Sequence, residues 1–316
     1  MVERVQQISL QEEYEKDNNI TPDDIKELRA WLKTQPHLPE KYLTDLDLML
    51  TYHCCERSMD VTKKVLDLHY TLRSMDSFAI FFGDRCFDKK VAVTLNTSMA
   101  FFIKYLHTFD SIDFRMYAPL PTPTVCGYRA VYIRLLDPDY RNFSINDAIR
   151  VFMMVFDLWQ YEEGTWPGCA IIIDMDKTTL SHIAKLELMT LKKALYFLQE
   201  CMLVKLKEIH FKNAPYFMDK LMMLLKPFLK KDLLKMIHIH PVGSDSIYKY
   251  IQKDSFPKDE GGLYKTRETI ERLQANQVFF QEENKKRVNE ALRTGEKSKV
   301  KSMVSFPSSF KKLSID

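Results

Sequence analysis

An α/β sandwich with a mainly parallel sheet, preceded by a small all-α N-terminal domain, is the architecture this sequence predicts. Three observations carry it. Before about position 75, apolar residues recur only at helical spacing. From about position 128, short apolar runs rich in β-branched residues alternate with segments long enough for crossover helices. Strand–helix–strand repetition implies a mainly parallel sheet with right-handed connections and helices packed against it. At 316 residues the chain can bury one large core plus a smaller unit.

In the N-terminal region (1–75), Thr21-Pro22-Asp23-Asp24 reads as a helix start, with a Thr N-cap, Pro in the first turn and acids against the positive helix end. Ile25, Leu28 and Leu32 then share a face. Thr44-Asp45 opens a second helix carrying Leu46 and Leu50. Asp60 is expected to cap a third, with Val61, Val65, Leu68 and Leu72 as its stripe. Each stripe is one-sided and needs a surface to pack on. Residues 76–104 show no clean period and read as a connector to a main domain at 105–265. There, 130–136, 169–175, 206–211 and 236–240 are the expected strands, and 145–161, 182–200 and 215–235 the expected helices. A polar helix is expected from Tyr264 to about Arg293. With the Lys- and Ser-rich tail after Gly295 it makes up a C-terminal segment, 266–316, whose tail is expected to be flexible.

Composition excludes several classes. The chain is 46% hydrophobic and 28% charged, as in ordinary soluble globular proteins, and its net charge of +3 makes no basic field for nucleic acid. No C-x-x-C pair, N-terminal apolar signal or run of ~18 apolar residues is present, and Val2 excludes myristoylation. A reduced, cytoplasmic, monomeric protein is expected, with peripheral membrane association at most. The eight glycines form no G-x-G-x-x-G, G-x-x-x-x-G-K or G-x-S-x-G, which removes the commonest α/β enzymes, so no catalytic residues and no cofactor are expected. His238 and His240 share a strand face, but no carboxylate or Cys stands at metal spacing, so they read as structural and no metal is expected. His182 reads as part of a helix start and His210 as a strand end. Asp174 and Asp176 read as strand-end acids capping the next helix.

The segment 215–235 is the most informative. Phe217, Leu221, Leu224, Leu225 and Phe228 form a wide apolar stripe beside Lys226, Lys230, Lys231 and Lys235, and Pro227 marks a hinge or kink. It reads either as a crossover helix on the sheet or as an amphipathic lid that also lies on a bilayer. The residues alone leave both open.

Cys169-Ala-Ile-Ile-Ile-Asp-Met, Leu180-Ser-His, Lys205-Leu-Lys-Glu-Ile-His-Phe-Lys-Asn-Ala-Pro215, Lys226-Pro-Phe-Leu, Ile237-His-Ile-His and Phe256-Pro-Lys-Asp-Glu-Gly-Gly262 follow one another along the chain. Together they resemble the CRAL-TRIO lipid-binding family, in particular its tocopherol-carrier branch and insect members. Asp24-Ile-Lys-Glu-Leu-Arg-Ala-Trp-Leu, Gln35-Pro-His-Leu-Pro and Leu66-Asp-Leu-His-Tyr-Thr-Leu-Arg resemble that family's N-terminal helical domain. Arg134-Leu-Leu-Asp-Pro-Asp and Ser309-Phe-Lys-Lys-Leu resemble its insect branch.

The resemblance implies a pocket floored by the sheet and closed by 215–235. Its lining would be Cys169, Ile171 and Ile173, then Leu186, Ala194, Phe197, Leu198, Met202, Val204 and Ile209. Val151, Phe152 and Val155 come from the preceding helix, and Phe217, Leu221, Leu225 and Phe228 from the lid. Of the family's phosphoinositide-binding cluster, Lys205 and Lys207 match, whereas Asp232 and Met236 stand at two further basic positions. Tyr52-His53-Cys54 replaces a Phe-Leu-Arg motif, and Lys230, Lys231 and Lys235 are the candidates to compensate. Lys177 in place of a glycine marks a divergent member. The implied function is sequestration and membrane exchange of a small lipid of the tocopherol, retinoid, carotenoid, sterol or phospholipid class. The alternative is a membrane-recruited phosphoinositide-binding adaptor without transport.

Overall fold

Three short helix starts organise the N-terminal region through the same device, a side chain and a backbone amide exchanging hydrogen bonds three residues apart. Ser9 with Glu12 opens α1 (Leu10–Glu15), Thr21 with Asp24 opens α2 (Pro22–Leu32), and Thr44 with Asp47 opens α3 (Asp45–Cys54). A computed structural model of the chain describes residues 4–83, 85, 117–135, 138–257, 262, 272–273 and 275–294. Ile25, Leu28 and Leu32 are buried against Leu48, Met49, Leu66 and Tyr70, so the first stripe packs on α3 and α4 (Met59–Ser74). The third helix corrects its expected start. Ser58, not Asp60, is the N-cap, and Val61 stays 44% exposed. The buried face of α4 carries Thr62, Leu66, His69, Tyr70 and Arg73, because this helix turns polar groups inward toward partners on other elements. The short α5 (Ala79–Phe82) follows.

The sheet has five strands in the order β1 (Tyr117–Pro119), β2 (Arg129–Arg134), β3 (Cys169–Asp174), β4 (Leu206–Ala214) and β5 (Ile237–Pro241). β1 runs antiparallel to β2, and the other pairs are parallel. Each strand lies beside its predecessor. Right-handed crossovers between such neighbours place every connecting helix on one face. That face receives α6 (Ile145–Glu163), α7 (Leu180–Ala184), α8 (Leu188–Glu200), α9 (Met218–Leu225) and α10 (Lys231–Lys235). The opposite face, with Ala130, Tyr132, Ala170 and Ile172, is covered by Ile247, Ile251 and Phe256 from short 3₁₀ turns and the loop after them. The strand β1 was not anticipated.

The expected helix 182–200 is divided around Lys185–Glu187, and 215–235 is broken by a 3₁₀ turn at Lys226–Phe228. The expected polar C-terminal helix stops earlier: among the described residues Arg272, Leu273 and Ala275 are helical, α11 (Gln277–Glu283) follows, and beyond it there is only a 3₁₀ turn at Glu290–Leu292. Phe280 of α11 is fully buried against α6. Residues 86–116, the start of that expected helix and the tail after 294 lie outside the described residues.

Charge is buried where the N-terminal helices, α6 and the C-terminal segment meet. Asp157 of α6 accepts from Arg73 and Arg85, and Lys286 donates to Asp47 at 2.8 Å and pairs with Glu283. Burial alone would raise the Asp157 carboxyl, but the two guanidiniums hold it well below its ordinary range. Asp174 is not a helix cap. It accepts from Tyr132 Oη at 2.5 Å, Lys212 Nζ at 3.1 Å, Asn213 Nδ2 at 2.9 Å and the amide of Asp176. The following helix is capped instead by Thr179 with His182, as the sequence suggested for His182.

His210 sits within β4, not at its end, and its ring stacks between His238 and His240 at 4.9 and 5.3 Å. A carboxylate does stand in this stack, Glu208 Oε2 at 3.1 Å from His210 Nε2, two residues back on β4, the strand that pairs with the one carrying His238 and His240. Burial pushes His210 and His240 down to about 4, and buried His69 down to about 3.

Two outcomes follow. Asp157→Ala leaves two buried guanidiniums without their carboxylate and should cost about 3–5 kcal/mol in urea denaturation. A cost under about 1 kcal/mol would mean the cluster is not structural. The histidines bind protons in the unfolded chain near 6.5 but in the fold only near 4 or below, so between those values unfolding takes up protons. Stability should therefore be flat with respect to these groups above about pH 6.5 and fall toward pH 4. His240→Asn should flatten that slope in denaturation series, and an unchanged slope would remove the stack as its cause.

Candidate ligand cavity

Between the sheet and its helices lies a cavity of about 310 Å³. Strand register builds its floor. Ile171 pairs with Ile209, which pairs with Ile237, while Ile133 pairs with Ile173, which pairs with Phe211. All six point to the helical face and line the cavity. Ile145, Ala148, Ile149, Phe152 and Met153 of α6 form one wall, and Leu191, Ala194, Leu195 and Leu198 of α8 another. Leu221 and Leu225 of α9, with Leu229 after the break, form the roof. Thr178, His182, Arg134 and Asp174 are its polar lining residues. Asp174 is already saturated by the donors on the opposite face. His182 Nδ1 accepts the Thr179 amide at 3.1 Å, which leaves the proton on Nε2.

The apolar cavity lies toward the C-terminal ends of the strands, where open α/β sheets commonly bind ligands. At the other end Trp159 and Trp166 pack at 4.2 Å, and Phe156, Cys169, Phe197 and Met202 complete a solid core with them. This division sorts the expected residues. Phe152, Ile171, Ile173, Leu186, Ala194, Leu198, Ile209, Leu221 and Leu225 line the cavity. Cys169, Phe197, Met202 and Val204 instead belong to the solid end. Phe197 is turned toward the rings of Phe82 and His69, at 4.7 and 5.4 Å. Val151 and Val155 lie on the adjacent face of α6, packed toward Tyr117 and Phe280, because the helix is rotated relative to the expected phase. Phe217 is buried beneath the start of α9 without reaching the cavity, and Phe228 is half-buried in the 3₁₀ turn.

Several lining residues escaped sequence reading although the signal was present. Phe211 and Ile237 follow from strand alternation and pairing with Ile209, and Leu191 and Leu195 from one-turn steps around Ala194 and Leu198.

The candidate anion-binding lysines are dispersed. Lys205 pairs with Glu56 at 3.0 Å, Lys230 with Glu200 at 2.6 Å and Lys235 with Asp232 at 2.9 Å. Lys207 lies over Gly168, where any Cβ would meet its side chain, and Lys231 is the first residue of α10. Tyr52 and His53 turn inward, to Asp24 at 3.1 Å and the Trp166 carbonyl at 2.8 Å, so neither presents a cation at the surface. A second cavity, about 410 Å³, lies against the buried ion cluster of Asp47, Arg73, Asp157, Glu283 and Lys286. Its charged wall is already internally paired, so the smaller apolar cavity is the better candidate.

A one-faced α/β sheet roofed by helices over an apolar hollow defines the class. Residues 117–262 match the family model described as CRAL/TRIO domain. Residues 17–89 match the model described as Pinta-like, UBA domain. The chain is similar to alpha-tocopherol transfer protein-like of Mus musculus, 26% identical over 138 residues, 42% of this chain and 40% of the relative. It is similar to clavesin-2 of Rattus norvegicus, 26% identical over 126 residues, covering 40% and 38%. Clavesin-1 of Xenopus laevis is 28% identical over 125 residues, covering 39% and 38%. The chain thus spans about two fifths of the length of the curated relatives it matches. The crystal structure of Sfh5 aligns over 83% of this chain and 99% of its own at 10% identity, with a TM-score of 0.39, too low to bear on the argument.

The solid and hollow ends differ in a measurable way. Phe197→Ala should cost about 3–5 kcal/mol in chemical denaturation, and Leu198→Ala, one residue on but facing the hollow, about 2 kcal/mol or less. Equal costs would mean that the cavity closes up in solution.

Proposed function

We propose that this protein carries a small hydrophobic molecule in the sheet-floored cavity and exchanges it at membranes, with the lipid as its ligand, no cofactor and no reaction catalysed. The observation that supports the reading is an almost entirely hydrocarbon lining on floor, walls and roof. Burial of ~400 Å² of apolar ligand surface at about 25 cal/mol per Å² contributes roughly 10 kcal/mol, enough to meet much of the cost of association without a charged partner. A volume of about 310 Å³ is at the small end for ligand pockets, which favours a retinoid, tocopherol, carotenoid or sterol over a two-chain phospholipid. The printed name of the mouse relative points to the same class.

In this reading 215–235 is a lid. Tyr216 and Met223 project outward, 87% and 69% exposed, beside Lys220 and Lys226. Apolar side chains ringed by lysines suit transient contact with an anionic bilayer surface. Lys205, Lys207, Lys230, Lys231 and Lys235 would add weak attraction to such a surface, since exposed ion pairs exchange partners at little cost. The carrier acts as a monomer.

An organic extract of the purified protein should yield about one mole of lipid per mole by mass spectrometry, and the stripped protein should take up retinol or tocopherol saturably. Ala194→Trp, which fills the cavity from α8, should abolish uptake while the melting temperature stays within a few degrees. Extracts and uptake assays that both come up empty would sink the carrier.

A further inference from the structure

The roof of the cavity is interrupted at its middle. α9 ends at Leu225, Pro227 has no amide to give, and Leu229 and Lys230 are extended before α10 begins. The break leaves backbone groups without helical partners, and one side chain of the neighbouring helix takes two of them. Gln199, near the end of α8, donates from Nε2 to the Phe228 carbonyl at 2.9 Å and accepts the Lys230 amide on Oε1 at 2.7 Å. Its Nε2 also donates to Leu195 O, one turn back, at 2.8 Å, which fixes the amide plane. The next residue, Glu200, pairs with Lys230 Nζ at 2.6 Å. Directly inside this polar seam, Leu195 and Leu198 of α8 face the cavity from one side, and Leu225 and Leu229 from the other.

We propose that Gln199 is the latch of the lid, a positioning residue that holds the roof break shut against α8 and sets how fast the ligand leaves. The inference rests on the carrier reading and adds the regulation of its door. Opening the roof here exchanges two side-chain-to-backbone bonds at a half-buried seam for bonds to water. Gln199 dominates its neighbour because its bonds go to fixed backbone groups. The Lys230–Glu200 pair, in contrast, joins a 59% exposed lysine to a carboxylate and is easily replaced by solvent.

Two variants cut the latch from opposite sides. Gln199→Ala removes both bonds and places a better helix former on α8, so the ligand-free fold should not weaken. Lys230→Pro removes the amide donor together with the Glu200 ion pair, whose share Glu200→Gln reports, at a residue whose φ of −67° already suits proline and whose predecessor is extended. Retinol-loaded protein is mixed with phosphatidylcholine vesicles, and the transfer rate is followed by retinol fluorescence. Hydrogen exchange of residues 226–235 is measured in the ligand-free protein. Gln199→Ala should speed release about tenfold and Lys230→Pro about threefold or more, with exchange over 226–235 accelerated in both. The double variant should add little to Gln199→Ala, since both remove the same contact. Glu200→Gln should stay within about twofold of the parent. Unchanged release in both latch variants would overturn the proposal, as would an effect of Glu200→Gln equal to that of Gln199→Ala. Accelerated exchange without accelerated release would also overturn it, by showing that the seam does not gate exit. A parent protein that never retains retinol or tocopherol would instead remove the carrier reading, while hydrogen exchange still reports on the seam.

Discussion

Adjacent parallel strands joined by right-handed crossovers can place their helices on one side only, and the rest of this molecule follows from that constraint. With β2, β3, β4 and β5 laid down in sequence order, α6, α8 and α9 must share a face. Near the strand starts the gap beneath them is closed by large aromatic residues, Trp159, Trp166, Phe156 and Phe197, whose rings reach across it. Toward the strand ends the facing side chains are mostly Ile and Leu, and the cavity lies among them. The cavity is therefore produced by graded side-chain size on a topology that already segregates helices, without any special backbone.

A hollow core forgoes packing that a domain would ordinarily use. The compensation visible here lies outside the sheet. The N-terminal helices and the C-terminal segment are fastened to α6 through Asp157, Arg73, Arg85, Glu283 and Lys286, charges held out of water only because each meets its opposite. Phe82 and His69 press on Phe197 from the same side. The helical region thus braces the solid end of the sheet domain and leaves the hollow end to move.

Sequence pattern made the strands and crossover helices legible because period-two and period-3.6 repeats are local properties. The cavity floor was half legible for the same reason. Ile171 and Ile173 share a face by alternation, as Phe211 does with Ile209, whereas Ile133 and Ile237 join them through register, which no single strand reveals. The phase of α6 was misjudged because its buried positions surround most of the helix, so Val151 and Val155 looked as suitable as Phe152. Residues named by resemblance alone, such as Cys169 and Met202, sit on the expected face but at its filled end, and only side-chain volume separates the two ends. Polar partners were the least visible. Tyr132, Lys212 and Asn213 on Asp174, His238 and His240 beside His210, and Gln199 against the roof are contacts between elements apart in sequence.

That last group concerns where polar contacts fall around an apolar cavity. Apolar burial is non-directional, so a cavity lined only by Leu and Ile has no preferred place to open. Direction enters where backbone polar groups go unpaired, and along the roof this happens at the Pro227 break. The Phe228 carbonyl and Lys230 amide need partners there, and Gln199 is the shortest route to both. A continuous helix would have satisfied them internally and sealed the roof more evenly. The proline that interrupts the roof as a helix concentrates its polar contacts at one seam, where hydrogen bonds trade readily with water while the apolar walls on either side stay packed.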